Sequence, residues 1–166
     1  MTDVRTRRLH LHAVDVAEAE RIVARTPGPD DVWAEDFPFD GDIVALTMFL
    51  RATAAHGEQR PFGYYRISRA TDGRAIGGAG FLGPPVEGVA DIGYGLTTSG
   101  RGEGYAAEAV GALASIAAAH GVLTLRAETV LANVASQRTL IGAGFTLVRS
   151  DGELQHYELP IGQRVE

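Results

Sequence analysis

The chain has 166 residues, enough for one domain with a real core, and its 45% hydrophobic and 22% charged content is ordinary for a soluble globular protein. A net charge of −6 argues against a broad nucleic-acid-binding surface and suits a cationic partner better than an anionic polymer. There is no cysteine, which removes disulfides, cysteine nucleophiles and cysteine metal sites. The arginines of Met1 to His12 have no apolar run behind them, and no segment is long enough to span a bilayer. The expectation is a cytoplasmic protein without signal peptide or membrane contact.

Arg8 to Val14 reads as a first strand. Asp15 can cap the helix after it, with Glu18 three residues on, close to a capping box. Val16, Ala19 and Val23 then share a face. Residues 26–41 form a loop with three prolines, several acids and the aromatics Trp33, Phe37 and Phe39. Asp42 to His56 reads as a second helix with Ile43, Leu46, Phe49 and Leu50 inward and Gly57 as its stop. Phe62 to Arg69 and Arg74 to Leu82 read as strands joined by the hairpin signal Asp72-Gly73. Gly83-Pro84-Pro85 breaks the chain before a strand from Val89 to Thr97.

After that strand come Gly100, Gly102 and Gly104, then a helical run from Glu103 to His120. Val122 to Val130 is a strand, Asn133 to Gly142 a short helix, and Phe145 to Ser150 and Glu153 to Leu159 are two last strands. The order β-α-α-β-β-β-α-β-α-β-β makes an α+β fold of residues 1–166 as a single domain. Hairpins imply antiparallel pairs, and strand-helix-strand around the glycines implies one parallel pair. The expected core is a mixed, mostly antiparallel, seven-stranded sheet with helices on both faces.

A strand, a glycine-rich turn and a helix start together form a site for a phosphate-bearing ligand, because the first helical N–H groups lack partners and carry the positive end of the dipole. On the preceding strand Ala90, Ile92, Tyr94 and Leu96 share one face, and Asp91, Gly93 and Gly95 the other. The glycine face leaves a groove in which a thin, amide-containing arm could lie. Gly93 and Gly95 could equally serve only to ease curvature.

The window Ser99-Gly100-Arg101-Gly102-Glu103-Gly104 resembles the cofactor signature of the GCN5-related N-acetyltransferase (GNAT) family, with Ser99 where Gln or Arg is usual. Asn133-x-x-Ser136 followed by Gly144-Phe145 is similar to the family's second cofactor segment. Thr6-x-Arg8-Leu9-x-Leu11 with Asp15, and Ala90-Asp91-Ile92-Gly93-Tyr94, resemble the ribosomal-protein N-terminal acetyltransferase branch. The resemblance covers about Thr6 to Leu159.

It implies acetyl-CoA as donor and a primary amine as acceptor, an α-amine or a small amine, attacking the thioester directly. Backbone amides of Arg101, Gly102, Glu103, Gly104, Tyr105 and Ala106 would hold the pyrophosphate, and Leu96, Thr97 and Thr98 would pair with the pantetheine arm. The sheet is expected to splay between the strand ending at Thr97 and that starting at Val122. Asn133 would approach the arm, unless it is a helix cap alone. Asp91 stands where a carboxylate base is common, and its alternative is a salt-bridged strand residue. Leu140 replaces the tyrosine that often serves as acid, which leaves Ser136, with Tyr157 as a weaker candidate. Arg101 and Arg138 are the nearest phosphate counter-charges. Trp33, Glu35 and Phe37 are candidates for the acceptor wall, or else anchor an acidic surface loop. Relatives are often homodimers.

Two other readings stay open. Gly102-x-Gly104-x-x-Ala107, with Glu128 further on, fits a relaxed dinucleotide fingerprint, although the strands before it read as antiparallel. A non-catalytic acyl-CoA-binding module could use the same fold. His10-x-His12 puts two histidines on one face with no third ligand in view, so no metal is expected.

Overall fold

A computed structural model describes residues 3–162; residues 1–2 and 163–166, which the single-domain reading includes, lie outside the described part. Strands β1 (Val4–Arg5) and β2 (Leu9–Ala13) precede helices α1 (Val16–Ala24) and α2 (Asp40–His56). Strands β3 (Tyr64–Arg69), β4 (Ala75–Phe81) and β5 (Val89–Leu96) lead to a 3₁₀ turn, Thr98–Gly100, and to α3 (Tyr105–Ala119). Strand β6 (Thr124–Val130), helix α4 (Val134–Gly142) and strands β7 (Thr146–Ser150) and β8 (Leu154–Pro160) complete the order. All seven expected strands are present within two residues at each end. The eighth, β1, is a two-residue pairing of Val4 and Arg5 with Leu11 and His10, too short to leave a period in the sequence.

The sheet order is β1-β2-β3-β4-β5-β6-β8-β7. Neighbours are antiparallel except β5 and β6. That parallel pair is short: Val89, Ala90 and Asp91 face Thr124, Leu125 and Arg126, and beyond Asp91 the two strands part. The expected splay is therefore present, and it begins one residue past Asp91.

Alternation sorts the sheet into two faces. Leu9, Leu11, Ala13, Tyr65, Ile67, Ala79, Ala90, Ile92 and Leu96 are buried on one, where the alanine-rich α3 packs against β2, β4 and β5. Small side chains let this helix approach closely, and Ala109, Val110, Leu113, Ile116 and Ala117 form its inner stripe. The other face carries His12, Tyr64, Arg66, Gly78, Gly80, Gly93 and Gly95, and meets α1 and α2.

Helix α1 is capped as expected, Asp15 Oδ1 accepting from the Glu18 N–H at 2.8 Å. The rest of the capping box is not formed. Glu18 is 5% exposed and turns into the sheet, pairing with Arg66. The buried stripe of α1 is consequently Glu18, Ala19 and Ile22, and Val16 is exposed. On α2 only Leu46 of the expected apolar set is fully buried; Val44 and Met48 stand exposed beside a cavity described below.

Asp3 supplies the third group beside His10 and His12. Its Oδ2 lies 3.2 Å from His10 Nε2 and 2.7 Å from His12 Nδ1, while Oδ1 accepts from the Ala13 N–H. The three ligand atoms fall within 4.8 Å of one another. The other His12 nitrogen, Nε2, faces Glu18 Oε1 at 3.2 Å. A ring held by carboxylates at both nitrogens is best satisfied as a donor at both, with no lone pair for a metal. The Glu18 hydrogen bond, followed by that of Asp3, raises the His12 pKa.

A raised folded value gives stability that is complete below the unfolded pKa of about 6.5 and is lost as pH climbs through the folded value. The melting temperature should therefore decline as pH rises above about 6.5, and His12→Gln should flatten that decline. Thermal melts across this range check it; an identical slope in the variant would contradict the assignment.

Candidate functional site

Where β5 and β6 part, a cavity of about 1070 Å³ opens. It runs from the start of α3 and the first turn of α4, through the gap, to the inner flank of α2. Its lining includes Arg101, Gly102, Gly104, Tyr105, Ala106, Asn133, Ser136 and Arg138 at one end, and Phe39, Asp42, Met48, Phe49, Phe62 and Tyr64 at the other. Between them lie Gly78, Gly80, Gly93 and Gly95, two cross-strand pairs on β4 and β5 with no side chain.

The phosphate turn has the backbone that its glycines predict. Gly102 and Gly104 adopt φ of 84° and 79°, a left-handed conformation costly to residues with a Cβ. Among the described residues no acceptor takes the amides of Gly102, Glu103, Gly104, Tyr105 or Ala106. The Arg101 amide, expected with this set, is already used: it donates to the Thr98 carbonyl at 3.2 Å. The pairing edge expected at Leu96 to Thr98 also needs correction. Thr97 donates to the Ile76 carbonyl at 2.7 Å and so faces β4. By alternation, Tyr94 and Leu96 turn their main-chain groups toward the gap. The Leu96 carbonyl there accepts from Arg101 Nε at 3.1 Å. The open edge is Tyr94 to Leu96 rather than Leu96 to Thr98.

Three long-range contacts hold this turn. Asp36 accepts from both the N–H and the hydroxyl of Ser99, at 2.8 and 2.6 Å, and the Ser99 hydroxyl bond pulls the Asp36 pKa down. Ser99 thus ties the turn to the loop before α2. Arg8 donates to the Glu103 carbonyl at 2.7 Å and to Glu108 Oε1 at 2.7 Å, and its guanidinium lies 4.6 Å from the Tyr105 ring centroid. Glu108, in the first turn of α3, also takes the Thr6 hydroxyl and the Arg8 N–H. The Glu103 carboxylate, awkward beside a phosphate, belongs to an exposed residue, and only its main chain is engaged. These bracing roles of Arg8, Asp36 and Glu108 leave no local pattern in the sequence, since the partners are 63 to 102 residues apart.

At the start of α4, Asn133 accepts from the Ser136 N–H at 3.1 Å, so the cap reading is realised, and both residues still line the cavity. Ser136 Oγ lies 2.8 Å from the Tyr94 hydroxyl. Burial raises the Tyr94 pKa. Alternation puts Tyr94 on the face that α3 covers, but its hydroxyl partner lies 42 residues on, in α4, which no local pattern signals. Leu140 is fully buried in the core. Tyr157 is also buried, bonds to Gln155 at 2.7 Å, and does not line the cavity.

Asp91 is placed away from the cavity. It sits at the last paired position of β5 and β6, and Arg126 holds its two oxygens at 2.8 and 3.1 Å. The salt-bridged alternative is what the structure contains. Trp33, Glu35 and Phe37 do not form a cavity wall either. Trp33 makes a β-bridge with Ala75 and packs edge-on against Phe37 at 5.3 Å, Phe37 is buried in the core, and Glu35 points to solvent. Phe39 takes that place instead, its ring filling the space a Gly95 Cβ would need. Glu128 is exposed and 3.3 Å from His156. With β4 and β5 antiparallel before the turn, the dinucleotide reading is set aside.

Comparison with known proteins agrees with this geometry. The family model described as an acetyltransferase (GNAT) domain matches residues 8–146. The uncharacterized N-acetyltransferase YjdG of Bacillus subtilis is 28% identical over 124 residues, 74% of each chain. An acetyltransferase structure from Agrobacterium tumefaciens is similar over 95% of this chain and 93% of its own, with a TM-score of 0.66 and 24% identity. The ribosomal alpha-N-protein acetyltransferase RimL, solved with coenzyme A, is similar over 96% and 98%, with a TM-score of 0.69 and 18% identity. Among the described residues no helix is long and apolar enough to cross a membrane. The splayed strands, the glycine turn and the family match agree: this chain belongs to the GNAT acetyltransferase family, acyltransferases that draw on acetyl-CoA.

Proposed function

We propose that the chain is an N-acetyltransferase acting on a primary amine, either a protein N-terminal α-amine or a small amine. The observation that carries this reading is the meeting in one cavity of two backbone edges without main-chain partners among the described residues. The free amides of residues 102–106 form one edge, and Tyr94 to Leu96 beside the β5–β6 gap form the other. Acetyl-CoA, when bound, supplies an acetyl group activated as a thioester.

In this reading the amides and the α3 dipole hold the diphosphate, with Arg101 and Arg138 as nearby counter-charges. The open edge of β5 holds the amide-containing arm, and Asn133 flanks it. The acceptor enters from the α2 side, where the cavity continues past the four glycines. The cavity continues from the phosphate turn to the α2 side, and the chain has no cysteine to carry an acyl group, so direct attack is the simplest route. Either hydroxyl of the Tyr94–Ser136 pair can donate; with Tyr94 donating to Ser136 Oγ, the Ser136 hydroxyl is the hydrogen-bond donor left for the leaving sulfur. An amine with a pKa of about 10.4, or about 7.7–8.0 for an α-amine, must give up a proton before it attacks. Asp91 is not given that task, because Arg126 already holds its carboxylate outside the cavity.

A thiol-release assay with acetyl-CoA over a panel of peptides and small amines tests the reading, with coenzyme A affinity measured beside it by calorimetry. Ser136→Ala combined with Tyr94→Phe should lower turnover by about 10²-fold while the coenzyme A Kd stays within about threefold. Equal turnover would remove the pair from the reaction. Asp91→Asn should leave turnover within about threefold, since it breaks only a half-exposed ion pair with Arg126; a loss beyond about 10²-fold would return the base role to Asp91.

A further inference from the structure

Among the described residues that line the cavity, Asp42 is the only carboxylate. It lies at the α2 end, and the residue is 1% exposed. Its oxygens have neutral donors: the Tyr64 hydroxyl at 2.6 Å to Oδ1 and the Phe39 N–H at 3.2 Å to Oδ2. No cationic nitrogen of the described residues forms an ion pair with it. Arg25, the nearest cation acting on it, is spent on the Pro38 carbonyl and on Asp40. An ionised carboxylate withdrawn from water without a counter-charge is costly, and an arriving ammonium would supply that counter-charge.

The surroundings of Asp42 are apolar. Phe39, Phe49 and Phe62 lie within the cavity, and Val44, Met48 and Leu82 stand exposed at its rim. Scattered exposed apolar residues need no explanation, but three around one opening mark a surface for an apolar ligand. Tyr64 extends from Asp42 along the glycine floor of the cavity: its hydroxyl occupies the space that a Cβ on Gly78 would fill, and Gly78 pairs with Gly95 on the strand that borders the β5–β6 gap.

We propose that Asp42 receives the acceptor's ammonium and takes its proton, and that the acceptor is a primary amine borne on an apolar body. The proposal rests on the acetyl-transfer reading of the cavity. The ammonium gives one proton to the carboxylate, leaving neutral amine and carboxylic acid; the second amine proton departs with the sulfur when the amide forms. Burial supports the role by raising the Asp42 pKa to about 6, so that the acid returns its proton to solvent at neutral pH. The side-chain groups that act on Asp42 are Tyr64 from β3 and Arg25 from the end of α1. One carboxylate in an apolar pocket, with Arg101 and Arg138 at the far end, disfavours polyamines.

Calorimetry on protein saturated with coenzyme A, where no chemistry can occur, reads the binding. Phenylethylamine represents a free apolar amine, a peptide amide beginning with phenylalanine an apolar N-terminus, and spermidine a polycation. Wild type should bind at least one of the first two at least about tenfold more tightly than spermidine, and the arm that binds identifies the source. Asp42→Asn should weaken that binding at least about tenfold and lower kcat/KM at least about 10²-fold, with coenzyme A affinity unchanged. The acidic limb of kcat/KM against pH, near 6 in wild type, should disappear in Asp42→Asn. In Tyr64→Phe it should move to higher pH, because a hydrogen bond favouring the anion is gone. Tyr64→Phe keeps the proposal testable if Asp42→Asn fails to fold.

Preference for spermidine, or apolar-amine affinity and an acidic limb that survive Asp42→Asn, would overturn the proposal while leaving acetyl transfer intact. Failure of wild type to bind coenzyme A, or to release thiol with any amine, would overturn the acetyl-transfer reading itself.

Discussion

The parting of β5 from β6 just after Asp91 is the constraint on which the rest of the site depends. A sheet normally leaves no room between neighbours, because each backbone group is paired across the ladder. Here three residues on each strand are paired and the following residues are not. The bidentate Asp91–Arg126 contact closes the ladder at its last rung. Beyond it, β5 keeps its pairing with β4 and exposes its other edge, and β6 keeps its pairing with β8. Both strands remain supported from outside while the space between them opens into the cavity.

That opening would be of little use if its two walls could drift. The start of α3 carries unpaired amides, which is costly unless a ligand or water satisfies them, and glycines at 102 and 104 add conformational freedom. Arg8, Glu108 and Thr6 tie this segment to the turn before β2, and Asp36 ties Ser99 to the loop before α2. Such half-exposed pairs contribute little stability each. Their effect is positional: they fix the direction of the amides before any ligand arrives, which lowers the entropy lost on binding. Across the sheet, Phe39 and Tyr64 fill the space above Gly95 and Gly78, so the glycines create room that two aromatic residues then shape.

Much of this was legible in the sequence, for identifiable reasons. Elements with strong period and clear punctuation, such as Asp72-Gly73 between β3 and β4 and Gly121 after α3, were readable within a residue or two. The glycine turn and Asn133-x-x-Ser136 could be read because their chemistry is local. What was hidden depends on which way a residue points in an aperiodic segment, or on partners far along the chain. Trp33, Phe37 and Phe39 look alike in sequence; with the β-bridge between Trp33 and Ala75, Phe37 lies in the core, Trp33 packs against it, and Phe39 is left for the cavity. Asp91 satisfied the expected strand position, but Arg126, 35 residues away, decided its role. Glu18 looked like half of a capping box, yet Arg66 on β3 outcompeted the helix end for its carboxylate. Asp42, outside the motifs of the family resemblance, gained significance only when its neighbours in the cavity were known.

The central claim is that the main-chain hydrogens of residues 102–106 converge on the diphosphate of coenzyme A. Amide nuclear magnetic resonance during a titration tests this most directly, because Gly102 and Gly104 fall in the glycine region of the spectrum. The account predicts saturable shifts concentrated at residues 102–106 and along Tyr94 to Leu96, following one binding curve. Saturation by coenzyme A with those amides unmoved would contradict it.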